Sequence, residues 1–508
     1  MVAFLLAVGL GANDVANSFA TSVGAKVLTL RQACWIAAIA ELLGALLMGS
    51  RVTATIATQI LRANLYADDP TTLMLGMLAS LTATTVWLFV ATYFKLPVSA
   101  THCIVAAITG FGLVSQGWNA VYWSGLSRVA LSWLISPVFS GLVSACIFLS
   151  VRGVILNHLD ALERAYRAIP YIYGLTIGIN VGPVVFDLLL MTCHHAQMDC
   201  QMTHWGMSGI AFGVSILAGF LSAIGVAFVW VPRLRNWLAV QSVPTQDPAT
   251  TMTNDIVMAD LQAIRKPSEA NLRSRSASPS RKSRSSPRAS SPRLSDLIPS
   301  SATPKEVLNT EQDLWSNSDD VELEIANEQN QPSVENVFSF LQILTATFAS
   351  FTHGGNDVSN AIGPLVAIIA LYAYGSIPTD VSTPFWVLIF GGSGIIVGLA
   401  VFGWRVIETL GADLIPMTPS HGFCIEIGAA LTVLLASMLG LPISSTHAKV
   451  GSIVAVGFIA HRRGNRLDAE QSVNWSLFGK IVVSWVVTIP FGALLSILIF
   501  FMMQAFIT

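Results

Sequence analysis

Gly11-Ala12-Asn13-Asp14-Val15-Ala16-Asn17 and Gly354-Gly355-Asn356-Asp357-Val358-Ser359-Asn360 are nearly the same phrase written twice, and each closes a strongly apolar stretch. An Asp flanked by two Asn is costly inside a membrane helix, so its appearance at matching places in two halves points to a site. The echo continues downstream, where Leu96-Pro97-Val98-Ser99-Ala100-Thr101-His102 returns as Leu441-Pro442-Ile443-Ser444-Ser445-Thr446-His447. The separations nearly agree: 343 for the Asn (356 − 13) and 345 for the Pro (442 − 97). Weaker echoes pair Gly44…Arg51 with Gly398…Arg405, and Ser132-Trp133 with Ser484-Trp485.

With 53% hydrophobic and 11% charged residues among 508, and a mean hydropathy of +0.64, the chain cannot clothe a soluble globule in charge. Apolar runs near 33–50, 73–94, 129–150, 170–191, 207–231, 337–353, 384–403 and 479–507 each approach the ~20 residues needed to cross a bilayer. Shorter arms flank the Asn-Asp and Pro-x-Ser-x-Thr-His elements, so about ten to twelve membrane segments are expected. Only ten residues precede the first motif, against about seventeen apolar-rich ones, Val337 to His353, before the second. The first helix is either unusually short or incomplete on this reading.

Most of the charge lies between the halves. Residues 232–336 carry Arg-Ser repeats followed by an acidic stretch, a composition too polar to bury a core, and read as a disordered linker. The division is then 1–231, an N-terminal membrane repeat with adjoining helices; 232–336, the linker; and 337–508, the C-terminal repeat. Arg-Ser repeats resemble nucleic-acid tails, but in a membrane protein they read as a solvated loop open to kinases, with Ser278, Ser286 and Ser291 each followed by Pro. No nucleic-acid partner is expected. Cys34, Cys103, Cys146 and Cys424 read as packing residues. For Cys193 and Cys200, which bracket a polar loop, a disulfide, unpaired thiols and a Cys/His metal site compete, the last disfavoured because one short loop seldom completes a tetrahedral shell.

Arg233, Arg235 and the Arg-rich linker lie in the cytoplasm by the positive-inside rule, as do Lys26 and Arg31. Counting spans between these points, with the 73–115 stretch folding back at Pro97, returns the chain to the same side. The two Asn-Asp helices then run antiparallel. The fold expected is an all-α polytopic membrane protein of two inverted-topology repeats with broken helices and re-entrant helical hairpins, and a substrate site near mid-membrane. Apolar Ile155, Leu159, Leu162 and Tyr166 share one helical face, which suggests a helix lying on the inner membrane surface.

Gly with short polar side chains is expected to break a helix and free its backbone groups: N–H groups for an anion, carbonyls and a carboxylate for a small hard cation. Pro97 and Pro442 do the same at the hairpin tips, where Ser99, Thr101, Ser444, Ser445 and Thr446 offer hydroxyls. Many neutral donors, few fixed cations and two Asp suit an oxyanion that still carries a proton. Phosphate can donate to a carboxylate, whereas sulfate only accepts. Alternatively Asp14 and Asp357 ligate sodium while the Asn residues hold the anion. His102 and His447 are candidate site residues that could equally be packed histidines. Glu41 and Glu426 read as intramembrane cation or proton sites, and with Asp14 and Asp357 make four acids with no evident Lys or Arg partner.

At these residues the chain resembles the inorganic phosphate transporter (PiT) family of sodium- or proton-coupled phosphate symporters. The motifs GANDVANSFATSVG and GLPISSTHAKVGSIVAVG carry the likeness, which covers about 1–231 and 337–508. The resemblance implies secondary active import of inorganic phosphate with a co-transported cation, by alternating access. It implies a cytoplasmic central loop, both termini outside, and a multi-pass protein of the plasma membrane. By position it implies substrate contacts at Asn13, Asp14, Asn17, Asn356, Asp357, Asn360, Ser99, Thr101, Ser444, Ser445 and Thr446. Glu41 and Glu426 match glutamates the family needs for transport. Where relatives often carry another Glu, this chain has apolar Met77.

Sodium fits the hard-oxygen set better than a proton does, held by Asp14, Asn17, Asp357 and Asn360, and coupling is expected through Asp14, Asp357, Glu41 and Glu426. No cofactor is expected beyond that co-transported ion. A proton-coupled phosphate or other oxyanion symporter, a phosphate sensor on the same scaffold, and a two-Asp intramembrane enzyme are the competing classes. The last suits the residues least, because each Asp sits among Asn and hydroxyls. Partners are phosphate, sodium or protons, the lipid bilayer and kinases at the loop, with room for a homo-oligomer. Deleting about 245–330 is expected to leave labelled-phosphate uptake largely intact, because nothing of that composition packs into a membrane core; loss of phosphate binding by a well-folded deletion protein would reverse this reading.

Overall fold

The computed structural model describes residues 1–14, 16–195, 200–241, 334–378, 383–403, 406, 414–461 and 473–507. They fall into a membrane unit, Met1–Pro232 with Ser333–Thr508, and a second unit, Arg233–Pro332. The described part of the second unit continues one helix. Ser278, Ser286 and Ser291, the rest of the linker, Arg405 and the Cys200 side chain lie outside the described residues. Cys193 is disulfide-bonded.

The described residues are helical almost throughout. Two helices flank the first Asn-Asp phrase, α1 (Val2–Asn13) and α2 (Ala16–Gly24), followed by α3 (Leu30–Thr58). The first hairpin is α4 (Pro70–Tyr93) and α5 (Ala100–Gln116). After it come α6 (Trp123–Val151), α7 (Ala161–His195), α8 (Cys200–Gly225) and α9 (Val231–Gln241). Beyond the linker stand α10 (Val334–Tyr374), α11 (Phe385–Phe402), a second hairpin of α12 (Pro419–Met438) and α13 (Ser445–His461), and α14 (Trp475–Ile507). Among the described residues, ten helical stretches are long and apolar enough to cross a bilayer, and two shorter apolar ones are the inner arms of the hairpins.

Local chemistry sets the helix starts. Thr29 and Gln32 form a capping box on α3, in which Thr29 N–H donates to Gln32 Oε1 at 3.0 Å. Asp69 accepts from Thr72 N–H at 3.2 Å and Pro70 takes the first position of α4. The Thr72 hydroxyl, donating to Asp69 Oδ2, and then the Thr72 N–H hold the Asp69 carboxyl below the usual carboxylate range. Thr418 and Pro419 open α12 in the same manner.

Packing follows an exchange of halves. Helix α1 packs on α11 and α10 on α3; α5 packs on α14 and α13 on α6; α4 packs on α14 and α12 on α6. Glycines let the backbones approach. A Cβ at Gly11 would collide with Ile395 O, and one at Gly354 with Glu41 O. Likewise Gly44 meets Phe351 O and Gly398 meets Val8 O. The weak echo of Gly44 in Gly398 therefore marks the two tightest helix crossings, as small residues do in membranes.

Two expectations need correction. The second Asn-Asp phrase does not break its helix but lies inside an uninterrupted 41-residue helix, α10, whereas at the first phrase α1 ends at Asn13 with Asp14 as its C-cap and α2 starts at Ala16. Asn13 and Asn356 spend their side chains on the hairpins, so they do not compete for their own backbone. Nor is there a surface helix over 155–166. A π turn spans Arg152–Leu156, the chain bends at 157–160, and α7 begins at Ala161. Arg164 holds the bend by pairing with Asp160 at 2.7 Å.

Replacing Gly44 or Gly354 by Ala is expected to force its crossing apart and cost about 1–3 kcal/mol. Thermal unfolding of the detergent-purified protein reads it. The same change at Gly153, which has open space around it, should move the midpoint little.

Candidate functional site

Each Asn at the start of a motif grips a hairpin turn. Asn13 donates from Nδ2 to Thr92 Oγ1 (3.2 Å) and Leu96 O (3.0 Å) and accepts from Val98 N–H at 3.3 Å. Asn356, with its amide nitrogen turned toward the tip, donates to Ile443 O at 3.0 Å and to Asp357 Oδ1 at 3.1 Å, and accepts from Ser437 Oγ at 3.0 Å. Thr92 and Ser437 stand at the 345-residue separation (437 − 92), as do Val98 and Ile443 (443 − 98).

The two tips also grip each other. Thr101 Oγ1 donates to Ile443 O at 3.1 Å, and Thr446 Oγ1 reaches Val98 O at 3.2 Å. Helices α5 and α13 therefore begin side by side. Ser99 and Ser444 are their N-caps, accepting from His102 N–H (3.2 Å) and His447 N–H (3.3 Å). Those serines spend an acceptor on the helix and keep a hydroxyl proton to give.

At this double N-terminus lie both carboxylates. Ser445 Oγ donates to Asp357 Oδ2 at 2.6 Å, and the one Thr446 hydroxyl proton is shared between Val98 O and Asp14 Oδ1, the latter at 3.3 Å. Asn360 donates to Thr101 Oγ1 at 3.1 Å. Asp14 and Asp357 are each 2% exposed, so hydroxyls and helix N-termini stand around them in place of water. Asp14 Oδ2 and Asn360 Oδ1 are buried without a hydrogen-bond partner. They are hard oxygen acceptors of the kind a small cation takes. The side chain of Asn17 lies outside the described residues.

The glutamates are paired, which corrects the expectation of four acids without cationic partners. Glu41 Oε1 accepts from Ser350 Oγ and Oε2 faces His353 Nδ1, both at 2.8 Å. His353 Nε2 lies 2.7 Å from Asp357 Oδ2, an ion-pair distance with the N–H not aligned for a full hydrogen bond. Glu426 Oε2 lies 2.9 Å from Lys449 Nζ, again close but off-line, and Oε1 accepts from Thr21 Oγ1. His353 and Lys449 were missed because no echo marks them: Leu10 and Ile104 stand at the matching positions. The i, i+4 spacing of His353 and Asp357 on one helix was the available signal.

His102 and His447 turn elsewhere. Their rings meet edge to face with centroids 4.3 Å apart, His102 against Trp133 (3.9 Å) and His447 against Trp485 (3.8 Å). Arg51 braces the outer side of the second turn, donating to Met438 O at 2.9 Å and pairing with Asp187 on α7. Cavities of about 820 and 430 Å³ lie along α7 and α8 and among α6, α7, α10 and α12. Both are lined largely by apolar side chains and include none of the site residues.

Helices long enough to cross a bilayer, enclosing two carboxylates among hydroxyls, amides and paired helix N-termini, define a membrane transporter for a polar solute. The model of the Phosphate transporter family matches residues 10–496. Sodium-dependent phosphate transporter 1-A of Danio rerio is 33% identical, over 95% of this chain and 90% of the relative. Sodium-dependent phosphate transporter 2 of Bos taurus is 32% identical, over 94% and 93%. A solved structure titled "The sodium-dependent phosphate transporter" superposes with a TM-score of 0.71 at 30% identity, covering 99% of this chain and 97% of that one. This chain belongs to the phosphate transporter family, and is a multi-pass membrane transporter rather than an enzyme.

Thr101→Val and Thr446→Val each remove a bond between the tips; the second leaves Val98 O short of a donor, an expected cost of about 1–3 kcal/mol, whereas Ile443 O keeps the Asn356 amide and the first should cost less. Thermal unfolding of the two singles and the double should give a coupling of about 0.5 kcal/mol or more, since both tips share one contact.

Proposed function

We propose that this chain imports inorganic phosphate with sodium by alternating access, and that the site is the double N-terminus at the hairpin tips. The observation that carries the siting is the convergence of Asp14, Asp357, Asn360, Thr101, Ser445 and Thr446 on the starts of α5 and α13. Helix N-termini attract an oxyanion, and the hydroxyls and amides supply neutral donors. Asp14 and Asp357 then select for an anion that keeps a proton to donate. The family and the relatives' names support phosphate and sodium.

Sodium is placed at Asp14 and Asp357, with Asn360 Oδ1 and the tip hydroxyls completing an oxygen shell, and Asn17 as a further ligand. Ser99 and Ser444 contribute hydroxyl protons to the anion. In this reading the halves are inverted repeats, which the exchanged packing of α1 on α11 and α10 on α3 supports. The linker faces the cytoplasm of a plasma-membrane protein. Arg51 and Arg62 fall outside in that orientation and count against it, though Arg51 is paired with Asp187.

Proton coupling is the second reading, favoured by one observation: Glu41, His353 and Asp357 form a continuous buried chain from α3 to the tips.

Proteoliposomes with a sodium gradient, a proton gradient or neither separate the two. Labelled phosphate is expected to accumulate with the sodium gradient at fixed pH, to resist competition by sulfate, and to fall to background in Asp14→Asn and Asp357→Asn protein that still reaches the membrane. Accumulation on the proton gradient alone would move coupling to the Glu41 chain, and near-normal uptake by both Asn variants would displace the site.

A further inference from the structure

Most residues at the tips have a mate in the other half, but the Glu426–Lys449 pair has none. Leu81 and Ile104 stand at the matching positions, 345 residues earlier (426 − 345 and 449 − 345). Both partners are sealed from solvent, Glu426 at 0% and Lys449 at 1% exposure. The ammonium lies 2.9 Å from Glu426 Oε2 and 3.5 Å from Thr21 Oγ1, while that same hydroxyl donates to Glu426 Oε1. A carboxylate and a threonine hydroxyl, drawn from α12 and α2, thus surround a cation carried by α13.

The ligand types repeat those around Asp14. There a carboxylate from the first motif and Thr446 from α13 meet, and the second carboxylate oxygen has no protein partner. At Glu426 the equivalent oxygen faces a lysine. An ammonium on a four-carbon stem is a compact point charge able to take the place of a small hard cation among oxygens, and it cannot leave with the substrate.

We infer that Lys449 is a resident cation: it fills permanently, at Glu426, a position that would otherwise take up a co-transported ion, and so sets how many sodium ions accompany each phosphate. Glu426 then holds the lysine and binds no transported cation. The inference rests on the siting of the transported sodium at Asp14 and Asp357.

The test is a sodium titration of the purified full-length protein in detergent, choline replacing sodium, read by the fluorescence of Trp133 and Trp485, which pack on the first turns of α5 and α13. Lys449→Ala frees the Glu426 carboxylate, and its Hill slope should rise by about one, a slope being bounded by the number of sites. Glu426→Gln should keep the wild-type slope, because sodium never used that carboxylate. If neither single variant folds, the neutral pair Glu426→Gln/Lys449→Met should also keep it. A lower slope in Glu426→Gln or in the neutral pair, or an unchanged slope in Lys449→Ala, would overturn the inference. Unchanged slopes in Asp14→Asn and Asp357→Asn would instead overturn the siting of the transported sodium, a result separate from the others.

Discussion

A helical hairpin that turns inside a bilayer exposes carbonyls and N–H groups where no water can meet them, each a loss of several kcal/mol if left alone. Asn13 and Asn356 answer that demand from outside the hairpins, one amide per turn. The placement of the chemistry depends on this grip. It fixes the neighbouring Asp14 and Asp357 against the tips and brings the starts of α5 and α13 together. The clasp from Thr101 to Ile443 O and from Thr446 to Val98 O closes the arrangement. Amides suit the task because one side chain can donate and accept at once, whereas a carboxylate there would only accept.

The crossings that carry these motifs obey the same economy of space. Gly11 and Gly354 precede the two Asn by two residues and lie against the carbonyls of Ile395 and Glu41. Each motif helix is therefore pressed on a helix of the other half on one side and on a hairpin turn on the other. A larger residue at either glycine would shift Asn and Asp together, so the packing and the chemistry share one constraint.

Much of this was legible in the sequence because it is written twice. The repeated phrases located both Asp-bearing helices and both hairpins, and the number of apolar segments agreed with the helices found. What the repeat does not contain was harder to read. His353 and Lys449 have Leu10 and Ile104 as counterparts, and the glutamates they meet lie 312 and 23 residues away (353 − 41 and 449 − 426), so tertiary packing brings those charges together and only the i, i+4 pairing of His353 with Asp357 is local. The break expected at the second motif is absent, for a reason visible only in three dimensions. A polar side chain competes with its own helix when it has nothing better to bond, and here each Asn has a turn to hold.

The division between mirrored and unmirrored residues has a physical sense. The residues that meet at the tips are neutral or are the two Asp, and they come in pairs because two hairpins must be gripped and joined. Two further buried pairs, Glu41 with His353 and Glu426 with Lys449, occur once each. A buried carboxylate with a cation beside it is tolerable, and one without is not. If those pairs were duplicated, every added acid would bring another fixed cation toward the anion's path. Kept single and set beside the tips rather than between them, they give each half its own electrostatic character. Asp14, with one oxygen left unmatched by any protein donor, is then the carboxylate whose balance depends on something the protein does not itself supply.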